Sequence, residues 1–137
     1  MNTAPILIVD DDLDDQEFLQ EAWKELDFTN KLIFFKTAEE VLNYLKQEKE
    51  SPFLIISDVN LPKMNGFELK EKILNDTSIR YKSIPFVFFS NTATNKQIEK
   101  SYDLGSNGFF IKGQSMTEIK NTFTNIVNYW QKSKTPE

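Results

Sequence analysis

The stretch Phe53-Leu54-Ile55-Ile56-Ser57-Asp58-Val59-Asn60-Leu61-Pro62 decides how the chain folds. Its leading apolar run, Phe53 to Ile56, is too short for a helix and reads as a strand buried on both faces. Pro62 then forbids continuation into a sheet interior. A single carboxylate, Asp58, therefore stands at the carboxyl end of a central strand. That is where open α/β sheets place their sites.

The same pattern recurs on either side. Ile6-Leu7-Ile8-Val9 is an all-apolar strand running into Asp10, Asp11 and Asp12. A helix is expected from about 14 to 27, with Phe18, Leu19, Ala22 and Leu26 on one face and Trp23 sealing its edge. Leu32-Ile33-Phe34-Phe35 is a second strand. Thr37 is then an N-cap, with Glu40 completing a capping-box pattern, and Val41, Leu42 and Leu45 point inward. Beyond Pro62, Lys63-Met64-Asn65-Gly66 reads as a turn in which Gly66 supplies tolerance for unusual φ. A helix from about 67 to 74 follows. Ile84-Pro85-Phe86-Val87-Phe88-Phe89 is a strand with proline tolerated at its start, ending in Ser90-Asn91-Thr92. Thr94 caps a helix from about 95 to 104, with Ile98, Tyr102 and Leu104 inward and Gly105 as a left-handed stop. Gly108-Phe109-Phe110-Ile111 is a short strand ending in Lys112. Ser115, with Glu118 three residues on, caps a final helix carrying the stripe Ile119, Phe123, Ile126, Val127 and Trp130. Segments 46–50, 75–83 and 131–137 read as a solvated helix end, a surface loop and a frayed tail.

Strand–helix alternation gives a parallel sheet with helices on both faces. The expected fold is α/β, a flavodoxin-like doubly wound sheet of five strands in the order 2-1-3-4-5 with five helices. Strand 1 then neighbours strand 3. Asp10, Asp11, Asp12 and Asp58 converge, and Ser90 and Lys112 end their strands on the same side.

The totals narrow the function. The 137 residues suggest one domain, 1–137 with a core over about 5–130, and no linker to an output domain is visible. No apolar run approaches the ~20 residues of a membrane helix. The N-terminus lacks a basic and apolar export signal, so a cytoplasmic location is expected. Cysteine and histidine are both absent. This excludes disulfides, thiol nucleophiles, Ser-His-Asp catalysis and His- or Cys-ligated zinc. A net charge of -5 argues against a nucleic-acid partner. Acid is concentrated at Asp10, Asp11, Asp12, Asp14, Asp15 and Glu17. The last three suit a helix N-terminus; the first three directly follow a strand and do not.

Clustered carboxylates cannot all stay ionised without compensation. A hard divalent cation bound through oxygens is the usual remedy, and Mg²⁺ takes only a few carboxylates. Together with a lysine and a hydroxyl, such a centre can hold a phosphoryl group. The carboxylate can then attack phosphorus to give an aspartyl phosphate.

Ile8-Val9-Asp10-Asp11, Asp58-Val59-Asn60-Leu61-Pro62 with Gly66, Phe89-Ser90, and Gly108-Phe109-Phe110-Ile111-Lys112 occur in this order. In this the chain resembles the response-regulator receiver domains of two-component signalling, of the stand-alone, chemotaxis-regulator-like type, over about 5–130. The resemblance implies Asp58 as phosphoacceptor and Asp10 and Asp11 as the acidic pair for Mg²⁺, with Asp11 the more direct ligand. It implies that Asn60 gives the metal its backbone carbonyl. Ser90 would reorient towards the phosphoryl group, Lys112 would pair with it, and Phe109 would be the aromatic switch. Asn60 and Thr92 hold positions that tune phosphoryl lifetime. The donor would be a histidine kinase or phosphotransfer protein. The output would be a protein contact through the fourth helix, fifth strand and fifth helix, with homodimerisation left open.

Two residues depart from the family pattern. Gly113 stands where proline, joined by a cis bond, usually follows the lysine. A non-proline cis bond costs ~2.5–4 kcal/mol, so a trans bond, or a loop held by other contacts, is expected. Phe109 lacks the hydroxyl of a tyrosine. Two alternatives stand beside this reading. One is a receiver-like interaction domain that takes no phosphate. The other is a phosphatase of the haloacid dehalogenase type, built on Asp10-Asp11-Asp12, which leaves Asp58 without a role.

Overall fold

The computed structural model describes residues 2–47, 50–79 and 83–135. Among these, five parallel strands alternate with five helices. They are β1 (Ile6–Val9), α1 (Leu13–Lys24), β2 (Leu32–Phe35), α2 (Ala38–Gln47) and β3 (Leu54–Ser57). α3 (Gly66–Asn75), β4 (Phe86–Ser90), α4 (Asn95–Asp103), β5 (Phe109–Ile111) and α5 (Met116–Lys132) follow. The sheet order is β2-β1-β3-β4-β5, as the alternation of elements predicts.

Side-chain alternation along the buried strands divides the interior in two. Leu7, Val9, Ile55, Phe86 and Phe88 face α2 and α3. Ile6, Ile8, Leu54, Ile56, Val87 and Phe89 face α1 and α5. β1, β3 and β4 are buried along their whole length, which accounts for their unbroken apolar runs. β1 ends level with β2 and β3, Val9 lying beside both Phe35 and Ser57, and β4 ends level with β5, Ser90 lying beside Ile111; β4 runs two residues past the end of β3, where Ser57 lies beside Phe88. The residues that follow β1, β3, β4 and β5 therefore emerge along one sheet edge.

Several local expectations need correction. Trp23 does not merely seal the α1 stripe. It is buried, stacks on Phe28, meets Phe123 edge-on and donates from Nε1 to the Asn30 carbonyl at 2.9 Å. Tyr102 is exposed rather than inward, and Ser101 takes the buried position of α4, hydrogen-bonded to Ser106. The 131–137 segment is no frayed tail where it is described. α5 continues to Lys132, and Gln131 donates to the carbonyl of Asn2 and to Oδ1 of Asn30. Within 75–83, Ile79 is a buried anchor. Residues 48–49, 80–82 and 136–137 of the three polar segments lie outside the described residues.

Gly66 is not a turn residue of unusual φ. The left-handed position is Lys63, at φ 64°. Gly66 opens α3, behind an N-cap at Asn65 that forms a capping box with Glu68. Its N–H donates to the Val59 carbonyl at 2.8 Å. A Cβ on Gly66 would lie 2.2 Å from the Asp58 carbonyl oxygen. Glycine is needed here for close approach, because α3 is pressed against the backbone of Asp58 itself. Gly66→Ala should lower the unfolding free energy by about 1–3 kcal/mol. Urea denaturation checks this, and wild-type stability would show that the loop simply moves aside.

Candidate functional site

Each candidate side chain is placed by the end of a strand. Asp10 follows β1 and its N–H donates to the Phe35 carbonyl. Asp58 follows β3 and its N–H donates to the Val9 carbonyl at 2.9 Å. Lys112 follows β5 and its N–H donates to the Ser90 carbonyl at 2.7 Å. Ladder bonds thus bring together residues far apart in sequence. Asp10, Ser90, Asp58 and Lys112 are all buried, whereas Asp11 is exposed.

The Lys112 ammonium is the hub. Nζ lies 2.7 Å from Asp10 Oδ2, 3.0 Å from Asp58 Oδ2 and 3.1 Å from Asp15 Oδ2. Asp58 Oδ1 accepts the Asn60 N–H at 3.1 Å, and Asp10 Oδ1 accepts the Asp12 N–H at 3.0 Å. Asp10, Asp11 and Asp58 each offer a carboxylate oxygen, all within 4.8 Å of one another. Oxygen donors of this kind, with no nitrogen or sulfur among them, fit a hard divalent cation.

The charges do not balance. Among the described residues, Asp10, Asp15 and Asp58 pair with the one Lys112 ammonium, and Asp11 stands beside Asp10 and Asp58 as a fourth carboxylate. Burial pushes the Asp10 carboxyl above the ordinary carboxylate range; Lys112 and the Asp12 N–H pull it down, and Asp58 adds to the rise. Burial by itself would push the Lys112 ammonium down. The hydrogen bonds and charges of Asp10 and Asp58 outweigh it and hold Lys112 above the usual lysine range. Both partners are raised, but for different reasons: Asp10 chiefly by its burial, and Lys112 by the carboxylates that surround it.

Ser90 ends β4 fully buried, and its Oγ has no hydrogen-bond partner among the described residues. A buried hydroxyl in that condition is unusual and suits a group that receives an acceptor from outside. Phe109 is half-buried, its ring centroid 6.1 Å from that of Phe88. Among the described residues no peptide bond is cis, so Lys112 precedes Gly113 through a trans bond. A Cβ on Gly113 would lie 2.3 Å from Cβ of Glu118, so the β5–α5 loop is packed tightly onto the first turn of α5.

Two residues at the site were not anticipated in these roles. Asp15 reads in sequence as a solvated helix-start acid. Its side chain is one-third exposed, at 33%, yet it reaches Lys112. Gln16 Nε2 donates to the Asp10 carbonyl at 2.7 Å, tying α1 to the end of β1. The legible signal was the acid run itself, but a linear reading cannot say which acid the first helical turn swings back towards the strand. Asp12, by contrast, is spent on the N-cap of α1, accepting from the N–H groups of Asp14 and Asp15.

Lys112→Met should lower the stability of the metal-free protein by about 3–5 kcal/mol, because carboxylates are left unpaired. A carboxyl whose folded pKa is raised stabilises the fold while protonated and loses that contribution as pH rises through the folded value. With Lys112 gone, the rise at Asp10 grows. The variant should therefore lose stability more steeply than wild type as pH rises, measured by urea denaturation in chelator.

A family model described as the response regulator receiver domain matches residues 6–124. Response regulator Rcp1 of Synechocystis sp. is 27% identical over 135 residues, spanning 95% of this chain and 90% of that protein. The crystal structure of the phosphorylated cyanobacterial phytochrome response regulator RcpA is similar with a TM-score of 0.86 at 27% identity, covering 99% of this chain and 100% of that one. The Mn²⁺-bound form of response regulator Rcp1 is similar at a TM-score of 0.82 and 25% identity, covering 98% and 99%. The matched span, from β1 into α5, takes in all five strands and each candidate side chain, and the chain belongs to the response regulator receiver domain family.

Proposed function

We propose that Asp58 accepts a phosphoryl group from a phosphohistidine on a histidine kinase or phosphotransfer protein, with Mg²⁺ bound, and that this changes a protein-binding face. The observation that carries the reading is the Asp58 carboxylate, held 3.0 Å from a buried ammonium and grouped with the oxygens of Asp10 and Asp11. Likeness to RcpA, solved in a phosphorylated form, and to Rcp1, solved with Mn²⁺, supports it.

Asp10, Asp11, Asp58 and the Asn60 carbonyl would hold Mg²⁺, which neutralises phosphoryl oxygens when bound. An Asp58 oxygen attacks phosphorus. The new bond is O–P, the broken bond is the P–N bond of the donor, and its imidazole leaves. Lys112 pairs with a phosphoryl oxygen in place of one carboxylate. Ser90 Oγ donates to another, which gives its hydroxyl an acceptor. Water later releases inorganic phosphate and restores Asp58. The protein turns over only its own phosphoryl group and is in that sense not an enzyme.

Phe109 stands on the edge strand β5, three residues before Lys112 and beside Phe88, so a rotation of its ring would pass the change to α4, β5 and α5. The 137 residues are read as one receiver domain, working in the cytoplasm through contact with a downstream protein or a second copy of itself. Among the described residues no helix is long and apolar enough to cross a membrane.

Intact-protein mass spectrometry after incubation with acetyl phosphate tests the reading. A phosphoryl adduct that needs Mg²⁺ and is lost in Asp58→Ala is expected. An adduct in Asp58→Ala would refute Asp58 as the acceptor, and none in wild type with Mg²⁺ present would leave a phosphate-independent interaction domain.

A further inference from the structure

We propose that Asp15 is a positioning residue that takes up the Lys112 ammonium and thereby frees Asp10 and Asp58 for a divalent cation. The inference rests on the cation-binding part of the proposed function and adds a residue to it.

An ammonium has three N–H donors. In Lys112 they face Asp10, Asp58 and Asp15 at 2.7, 3.0 and 3.1 Å. The first two carboxylates belong to the oxygen cluster with Asp11; Asp15 does not. Lys112 is therefore already counter-ion to two of the three cluster members. A cation entering the cluster competes with it, because the two positive charges would share the same carboxylates. The competition is eased if the ammonium has a carboxylate of its own to retreat to.

Asp15 meets the requirements of that role. Its side chain is 33% exposed, against 2% for Asp10 and 10% for Asp58, so water completes its shell when it is the sole partner. Its backbone is fixed. The Asp15 N–H donates to the Asp12 cap at 3.2 Å, and Gln16 anchors the same turn to the Asp10 carbonyl. Asp14, in the same turn, carries the same charge but is exposed, and forms no ion pair with Lys112 among the described residues. Nearby charge and contact with Lys112 can therefore be separated by experiment.

The test is the dissociation constant of Mn²⁺ for the full chain, measured by electron paramagnetic resonance. Asp15→Asn should bind Mn²⁺ about 3- to 10-fold more weakly than wild type, while Asp14→Asn stays within about twofold. In a Lys112→Met background, Asp15→Asn should change the constant by less than about twofold, because there is no ammonium left to hold. Equal weakening by Asp14→Asn and Asp15→Asn would overturn the proposal in favour of bulk charge. So would a full Asp15→Asn effect that persists without Lys112, or wild-type affinity in Asp15→Asn. The comparison of Asp14 with Asp15 stands even if Lys112→Met does not fold. Absence of Mn²⁺ binding in wild type would refute the proposed cation site, and this inference with it.

Discussion

One ammonium holds the functional end of the molecule together. Lys112 reaches the ends of β1 and β3 and the first turn of α1, so three of the ten elements meet through a side chain that follows a fourth. Taking that charge out of water is expensive, and its attraction to the carboxylates offsets the expense only because the geometry is close and several partners are present. Even so, the carboxylates outnumber it. The Lys112 ammonium is held up by those carboxylates against its own burial, while the Asp10 carboxyl is pushed up chiefly by burial, with the Asp58 charge adding to the rise.

The sheet explains why so few residues suffice. The parallel registers end β1 level with β3 and β4 level with β5, with β4 running two residues past the end of β3, so Asp10 emerges beside Asp58 while Ser90 and Lys112 close the neighbouring strand pair. Two cores, one on each face, fix those levels from both sides. α3 adds a constraint of its own, because Gly66 packs against the Asp58 carbonyl and ties the position of the acceptor to the seating of a helix. Moving Asp58 would mean unseating Phe67, whose ring packs edge-on against Phe88.

Strand identity, strand order and the convergence of Asp10, Asp58, Ser90 and Lys112 were legible because they follow from apolar run length and element alternation. What escaped depended on direction. Periodicity placed Trp23 beside the α1 stripe but could not show that its ring would find Phe28 and Phe123. Tyr102 fitted an inward spacing, yet the small Ser101 takes the buried position of α4 and Tyr102 stays in water. Lys70 is buried in α3 with its ammonium 5.3 Å from the Phe86 ring centroid, and nothing in the sequence separates it from a surface lysine. Asp15 was visible as an acid but not as a partner of Lys112, since that pairing spans 97 positions.

Ser90 joins structure to the proposed function. A buried hydroxyl without a partner destabilises a fold by about 1–3 kcal/mol. That magnitude matches the coupling free energies that link two sites in a protein, typically about 1–3 kcal/mol. A phosphoryl oxygen offered at Asp58 would satisfy Ser90 in one arrangement of its loop and not in another, and a ligand shifts a conformational balance only by such a difference. Phe109 packs against the core beside Phe88 and is half-buried. The unsatisfied hydroxyl and the half-buried ring stand on adjacent strands, β4 and β5. Under the proposed mechanism, relief at the first would have only one strand pair to cross to reach the second.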